Sequence, residues 1–205
     1  MRNIKFFFRQ SWLVIVASFA FGGLLALTNA ALQPRIQANL IAKFNRTAGN
    51  LLPDAKNFEV PQAFEDLEKI KTDSGDELSI QIKKAIDAEG NLVGWAFTAK
   101  GPGFADMIEL VIATGPKLES IKGFGVLKSN ETPGFGDQIN NDFYQDQFHG
   151  APTASLELSK IGDASKIDNT IVAITGATVT SDAVVNIFNT YLPEVKELLA
   201  ENQQI

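Results

Sequence analysis

Twenty-five consecutive residues without a charge, Gln10 to Pro34, constrain this chain more than any other feature. Their centre reads SWLVIVASFAFGGLLALTNAALQ. About 20 apolar residues in a helix span the hydrocarbon core of a bilayer, so Ser11 to Leu32 is long enough. The sequence therefore predicts a tail over residues 1–10 and a transmembrane anchor over 11–33. Trp12 sits where an interfacial aromatic is favourable, and Gly22-Gly23 lets another helix approach closely. A cleaved signal peptide is the rival reading, with a basic start, an apolar middle and small residues at Thr28 and Ala30. The apolar stretch is longer than a usual signal core, and the cleavage-site match is poor. Arg2, Lys5 and Arg9 crowd into the tail, which the positive-inside rule keeps cytoplasmic. Arg35, Lys43 and Arg46 weaken that asymmetry. The remaining chain is expected outside the cytoplasm.

Charge and composition narrow what that remainder can do. Residues 36–205 hold 14 basic and 24 acidic groups, a net of about −10. Nucleic-acid binding needs a basic surface that releases counterions, so no nucleic-acid partner is expected. The chain has no Cys, which removes thiol catalysis, disulfides, Cys-ligated zinc and thiolate-held iron–sulfur clusters. Its one His, His149, lies beside Phe148 and Gly150 and reads as a surface or boundary residue; no metal site is expected. Redox or transfer chemistry here must borrow its reactive group from a cofactor.

After Pro34, Ile36, Leu40, Ile41 and Phe44 have helical spacing, with Gly49 and Pro53 expected to end the helix. PQAFEDLEKI reads as a short helix beginning at Pro61, and DSGDE (73–77) as a turn, so 34–75 is a helical connector. Strands follow in the domain over 76–205. LSIQIKKAI alternates and returns through DAEGN into LVGWAFTAK, a hairpin. GPGF (101–104) is a loop, MIELVIAT and LESIKGFGVLKS are strands, and IDNTIVAI (167–174) is the last strand. From Ser181, the positions Val184, Phe188, Tyr191, Val195 and Leu198 step by 4, 3, 4 and 3, a helix face interrupted or restarted at Pro193. Strands in sequence with helices at both ends predict an α+β fold with a mostly antiparallel sheet.

The junction TIVAI-TGAT-VTSDAVVNIF (170–188) reads as strand, tight Gly turn and helix start. A helix N-terminus presents unpaired N–H groups and partial positive charge, which hold phosphate well. Gly176 and Ala177 are small enough to let a phosphate approach the backbone. Thr180 or Ser181 is a good N-cap residue. The alternative is that all four hydroxyls, Thr175, Thr178, Thr180 and Ser181, only cap the helix and form the turn.

Thr175-Gly176-Ala177-Thr178 resembles the [Ser/Thr]-Gly-Ala-Thr motif of the FMN-binding domain family. ETPGFG (131–136) resembles that family's Glu-Thr-Pro-Gly-Leu-Gly segment, with Phe135 in place of Leu. GPGF (101–104) and LLPDA (51–55) are similar to its Gly-rich turn and post-anchor segment. Length, the single span and motif order are similar to the G subunits of Rnf-type electron-transport complexes. The paralogous C subunits of sodium-pumping NADH:quinone reductases are usually longer.

The resemblance implies an FMN covalently linked through its phosphate to Thr178. Thr175, Gly176 and Ala177 would shape the phosphate turn. Glu131, Thr132, Gly134, Phe135 and Gly136 would line the flavin; equally, Pro133-Gly134 is a turn signal and Glu131 a surface charge. It also implies an electron relay in an ion-translocating redox complex, with other membrane subunits as partners and a separate flavin transferase for maturation. The attachment motif often carries an Asp three residues before its first hydroxyl; Val172 stands there. Readings that remain beside it are the flavin-carrying component of a quinone reductase, a stand-alone FMN-domain protein and a non-redox membrane-tethered binding or assembly module.

Overall fold

The computed structural model describes residues 2–65, 67, 69–71 and 77–205, with the backbone alone for 2–10 and 71. The turn expected at 73–77 lies, apart from Glu77, outside the described residues. Two compact units are present, Met1–Ala42 and Lys43–Ile205.

Helix α1 is assigned to Arg2–Leu51 and contains Pro34. From Ser11 it is long and apolar enough to cross a membrane. Trp12, Leu13, Phe19, Phe21, Leu24 and Leu25 are all exposed, a surface too apolar for water and suited to lipid. The hydroxyls of Ser18 and Thr28 donate to Val14 O and Leu24 O one turn back, so these polar groups are satisfied without water, as a bilayer requires. Gly49 does not end the helix, contrary to the sequence expectation. A single Gly costs about 1 kcal/mol in a helix, and Phe44 and Ala48 around it are buried.

The second unit is built on an antiparallel five-stranded sheet. Its strands are β1 (Asn57–Glu59), β4 (Ile82–Ile86), β5 (Leu92–Pro102), β6 (Met107–Thr114) and β7 (Ile121–Lys128), in the order β1-β4-β5-β6-β7. The expected hairpin is present: Asp87 Oδ1 accepts the N–H groups of Glu89 and Asn91 and closes the β4–β5 turn. Bonds from Asn91, through its side chain first and then its backbone, hold the Asp87 carboxyl below its ordinary range.

Period-two alternation sorts the side chains of β5, β6 and β7 onto two faces. Trp95, Phe97, Ala99, Ile108, Leu110, Ile112 and Phe124 join one core cluster. Ala96, Val111, Ala113 and Leu127 join another, with Phe44, Ala48 and Leu52 from the end of α1. The Lys43 ammonium donates to Leu127 O, and that of Lys83 donates to Asn45 Oδ1 above the Phe44 ring. The short helix α2 (Asp142–Gln145) adds Tyr144 to the first cluster. Helix α3 (Thr178–Glu201) joins it through Val184, Phe188, Tyr191, Leu192 and Val195. Phe188 meets Phe148 at 4.7 Å and Phe124 at 5.5 Å between ring centroids.

Several local expectations are corrected. LSIQIKKAI is two strands, β3 (Glu77–Ser79) and β4, because β3 pairs with β2 (Lys69–Lys71) in a separate sheet. Between them, Gln81 donates its N–H to Thr98 Oγ1. The helix expected from Pro61 is one 3-10 turn, Gln62–Phe64. The expected last strand shrinks to β9 (Thr170–Val172), paired in parallel with β8 (Glu157–Ser159). The Gln147 side chain then bonds both the N–H and the C=O of Val172, a side-chain substitute for ladder bonds that spacing does not reveal. Pro193 lies inside α3 without ending it.

Candidate functional site

Two tight turns flank the start of α3. In Ile174-Thr175-Gly176-Ala177, the Ala177 N–H returns to Ile174 O at 2.9 Å, with Gly176 at φ +83. In Thr132-Pro133-Gly134-Phe135, the Phe135 N–H returns to Thr132 O at 3.1 Å, with Gly134 at φ +80. Both place Gly third, where a positive φ is required, and the second also places Pro where φ near −65 is required. The turns touch: a Cβ on Gly176 would lie 3.0 Å from Phe135 Cδ1. The Gly therefore lets the phenyl ring lie against the backbone.

Between the turns is a cleft of about 410 Å³, within the range of small-molecule sites. Phe104, Thr132, Phe135, Gly136, Gly176, Ala177, Thr178, Val179 and Thr180 line it. Of the residues singled out from sequence, Thr132, Phe135, Gly136, Gly176, Ala177 and Thr178 are brought together here. Thr175 and Gly134 shape the turns but are not among the lining residues. Phe104 and Val179 were not singled out, and Thr180 was expected only as a helix cap or turn former. GPGF (101–104) is not wholly the expected loop, since Gly101 and Pro102 extend β5 in pairing with β6; the aromatic of Phe104 after this Gly-Pro-Gly run was the available signal. Phe135 is 53% exposed and Phe104 67%, so two aromatic faces stand open at the rim.

The hydroxyls separate sharply. Helix α3 begins at Thr178, three residues before the expected start, and its N-cap is Ala177 with no side-chain cap bond. Neither Thr180 nor Ser181 serves as the N-cap, contrary to expectation. Ser181 Oγ accepts the Ile174 N–H and donates to Ala177 O, tying the turn to the helix from within. Thr180 is 2% exposed, and its hydroxyl donates to Glu131 Oε2 at 2.5 Å. Thr178 is half-buried on the cleft wall, and among the described residues its hydroxyl has no hydrogen-bond partner. The first-turn N–H groups, without a capping side chain, leave the cleft end of α3 suited to an anion.

Glu131 is not the surface charge that sequence left open. It is 4% exposed and does not line the cleft. Its Oε1 accepts the Ala105 N–H at 3.0 Å while Oε2 takes the Thr180 hydroxyl. It thus joins the 103–106 loop, its own loop and α3. In that loop Asp106 accepts from the Met107 N–H and the Asn130 amide, which hold its carboxyl below the ordinary range. No group of three or more His, Cys, Asp or Glu side chains able to hold a metal ion occurs among the described residues.

A model of the FMN-binding domain matches residues 103–192, which contain both turns and the cleft. The G subunit of the ion-translocating oxidoreductase complex of Methanosarcina acetivorans is 32% identical over 173 residues, covering 84% of this chain and 86% of that protein. The G subunit of the Na(+)-translocating ferredoxin:NAD(+) oxidoreductase complex of Acetobacterium woodii is 33% identical over 188 residues, covering 88% and 87%. Among solved structures, the C subunit of the Na(+)-translocating NADH-quinone reductase from Parabacteroides distasonis superposes with a TM-score of 0.50 at 19% identity. It covers 76% of this chain and 80% of that one, and the likeness is one of fold.

Proposed function

Because the chain belongs to the family of G subunits of ion-translocating oxidoreductase complexes and carries an FMN-binding domain, we propose that it relays electrons through an FMN joined by its phosphate to Thr178. The observation that carries this reading is the Thr178 hydroxyl, unengaged on the wall of the cleft at an uncapped helix start.

The residues present fit such a group. The α3 first turn supplies N–H donors and the positive end of the helix dipole to a phosphodiester. Gly176 keeps side-chain bulk away from that anion. Phe135, Phe104 and Val179 offer apolar surface to a planar ring. Flavin supplies one- and two-electron redox chemistry that no side chain of this Cys-free domain can supply. A phosphate tether leaves the ring unmodified and prevents loss of the cofactor outside the cytoplasm.

Among the described residues, no His or Lys lines the cleft to activate the Thr178 hydroxyl. We therefore assign attachment to a separate flavin transferase rather than to this chain. The anchor places the domain at the membrane, and the basic tail favours its extracytoplasmic side. Its partners are then the other membrane proteins of the complex. Val172, where the attachment motif often has Asp, is held in β9 by Gln147.

The test is in-gel flavin fluorescence after full denaturation of chain co-expressed with a flavin transferase. Fluorescence in the parent and its loss in Thr178→Val is the expected result. An intact mass without flavin in both would overturn covalent attachment.

A further inference from the structure

Glu131 is a buried carboxylate with no cation among its described partners. Its two oxygens accept from Ala105 N–H and Thr180 Oγ1. The surrounding backbone is cleared for it. A Cβ on Gly103 would lie 2.4 Å from Glu131 Oε1, and one on Gly136 would lie 2.9 Å from both its Cβ and Oε2. Both bonded loops and the helix end then converge on one side chain. Of its neighbours, Gly136 and Thr180 form the cleft wall. The carboxylate therefore sits one residue-layer behind that wall, almost wholly shielded from water.

We propose that Glu131 is a positioning residue with two separable effects, resting on the FMN reading above. As a strut, it fixes the Phe135 turn and the 103–106 loop against the start of α3, which sets the shape of the cleft. As a fixed negative charge behind the wall, it lowers the reduction potential of the flavin. Electrons arriving in the cleft add negative charge, and a nearby carboxylate disfavours that addition. Burial makes this effect weakly sensitive to salt, because a desolvated charge is screened far less than one on the surface. Asp137, exposed on the same loop, provides the contrast: its charge faces solvent, and salt removes its influence.

Glu131→Gln separates the effects, since the amide oxygen accepts the Ala105 N–H while the Thr180 hydroxyl rotates to accept from the amide NH₂. Glu131→Ala removes both. The experiment uses full-length chain with and without a flavin transferase. It reads thermal midpoints without flavin, denatured-gel fluorescence, and flavin midpoint potentials in low and in high salt.

Glu131→Gln is expected to keep the parent's stability and flavin attachment while raising the potential at both salt concentrations. Glu131→Ala is expected to lose thermal stability and attach less flavin. Asp137→Asn is expected to change the potential only in low salt. A Glu131→Gln potential equal to the parent's, or a shift that high salt abolishes, would overturn the charge effect. Glu131→Gln as unstable as Glu131→Ala, or Glu131→Ala as stable as the parent, would overturn the strut. Absence of gel fluorescence from the parent itself overturns the FMN reading and this inference with it, an outcome distinct from all the others.

Discussion

On one face of the five-stranded sheet, Gly94, Gly123 and Gly125 lie under Leu52, Leu51 and Thr47. On the other, Phe124 and Phe148 meet Phe188 edge-on or tilted. The first face is made of absences: Gly and Ala let the end of α1 settle close to the strands. The second is made of bulk, with interlocking rings that fix α3 at a distance and in one orientation. The difference teaches how each face borders a cleft. At the margin of the close face, Leu51, Gly123 and His149 line one of about 320 Å³. At the start of the helix that the aromatic face holds, the two Gly turns enclose the cleft that Thr178 lines.

Removing bulk from the aromatic face is expected to have the largest effect. Phe188→Ala should cost about 4 kcal/mol, in the range for truncating a fully buried Phe, measured as a shift in the denaturant midpoint. Adding bulk to the close face comes next. A Cβ at Gly94 would lie 2.3 Å from the Thr114 carbonyl oxygen, and a backbone atom in a central strand cannot step aside. Gly94→Ala should cost about 3 kcal/mol, the upper part of the overpacking range. If Gly94→Ala proved neutral, the steric account of this position within the sheet would fail.

Thr180→Val tests the wall of the Thr178 cleft. It keeps shape but leaves Glu131 Oε2 buried without its donor, which should cost about 2 kcal/mol. The cost should vanish when Glu131 is also replaced by Leu, a double-mutant result that separates the bond from packing. The smallest effect concerns Lys83 on the close face. Burial pushes its ammonium below the ordinary value of 10.5, so across that interval the unfolded chain binds more protons than the folded one. Stability should therefore rise slightly as pH increases through the folded value towards 10.5. Lys83→Met should flatten that rise in denaturation curves taken across the alkaline range.

Much of this was legible because it is written in local pattern. The uncharged run at 10–34, the apolar run of MIELVIAT and the 4-3-4-3 steps from Val184 each declare an element without reference to anything distant. The Gly turns at 134 and 176 were legible for the same reason, since positive φ is a property of the residue. Short elements were less so. β8 and β9 have three residues each, too few for a period to show, and β9 owes part of its backbone bonding to Gln147, 25 positions from Val172. The continuation of α1 past Gly49 was hidden because packing of Phe44 and Ala48 outweighs the local preference of a glycine.

Sequence by itself determined the membrane-spanning stretch, the antiparallel strands, the amphipathic α3 and a TGAT turn able to meet a phosphate. Each of these follows from residues that are neighbours along the chain. The division of labour among Thr178, Thr180 and Ser181 does not. All three are hydroxyls within four positions, and as residue types they have equal claims to cap a helix or bind a ligand; only the motif resemblance sets Thr178 apart. What engages each hydroxyl is decided by the tertiary structure, because Thr180 is occupied by a carboxylate 49 residues away, Ser181 is turned back into its own turn, and Thr178 stands on the cleft wall.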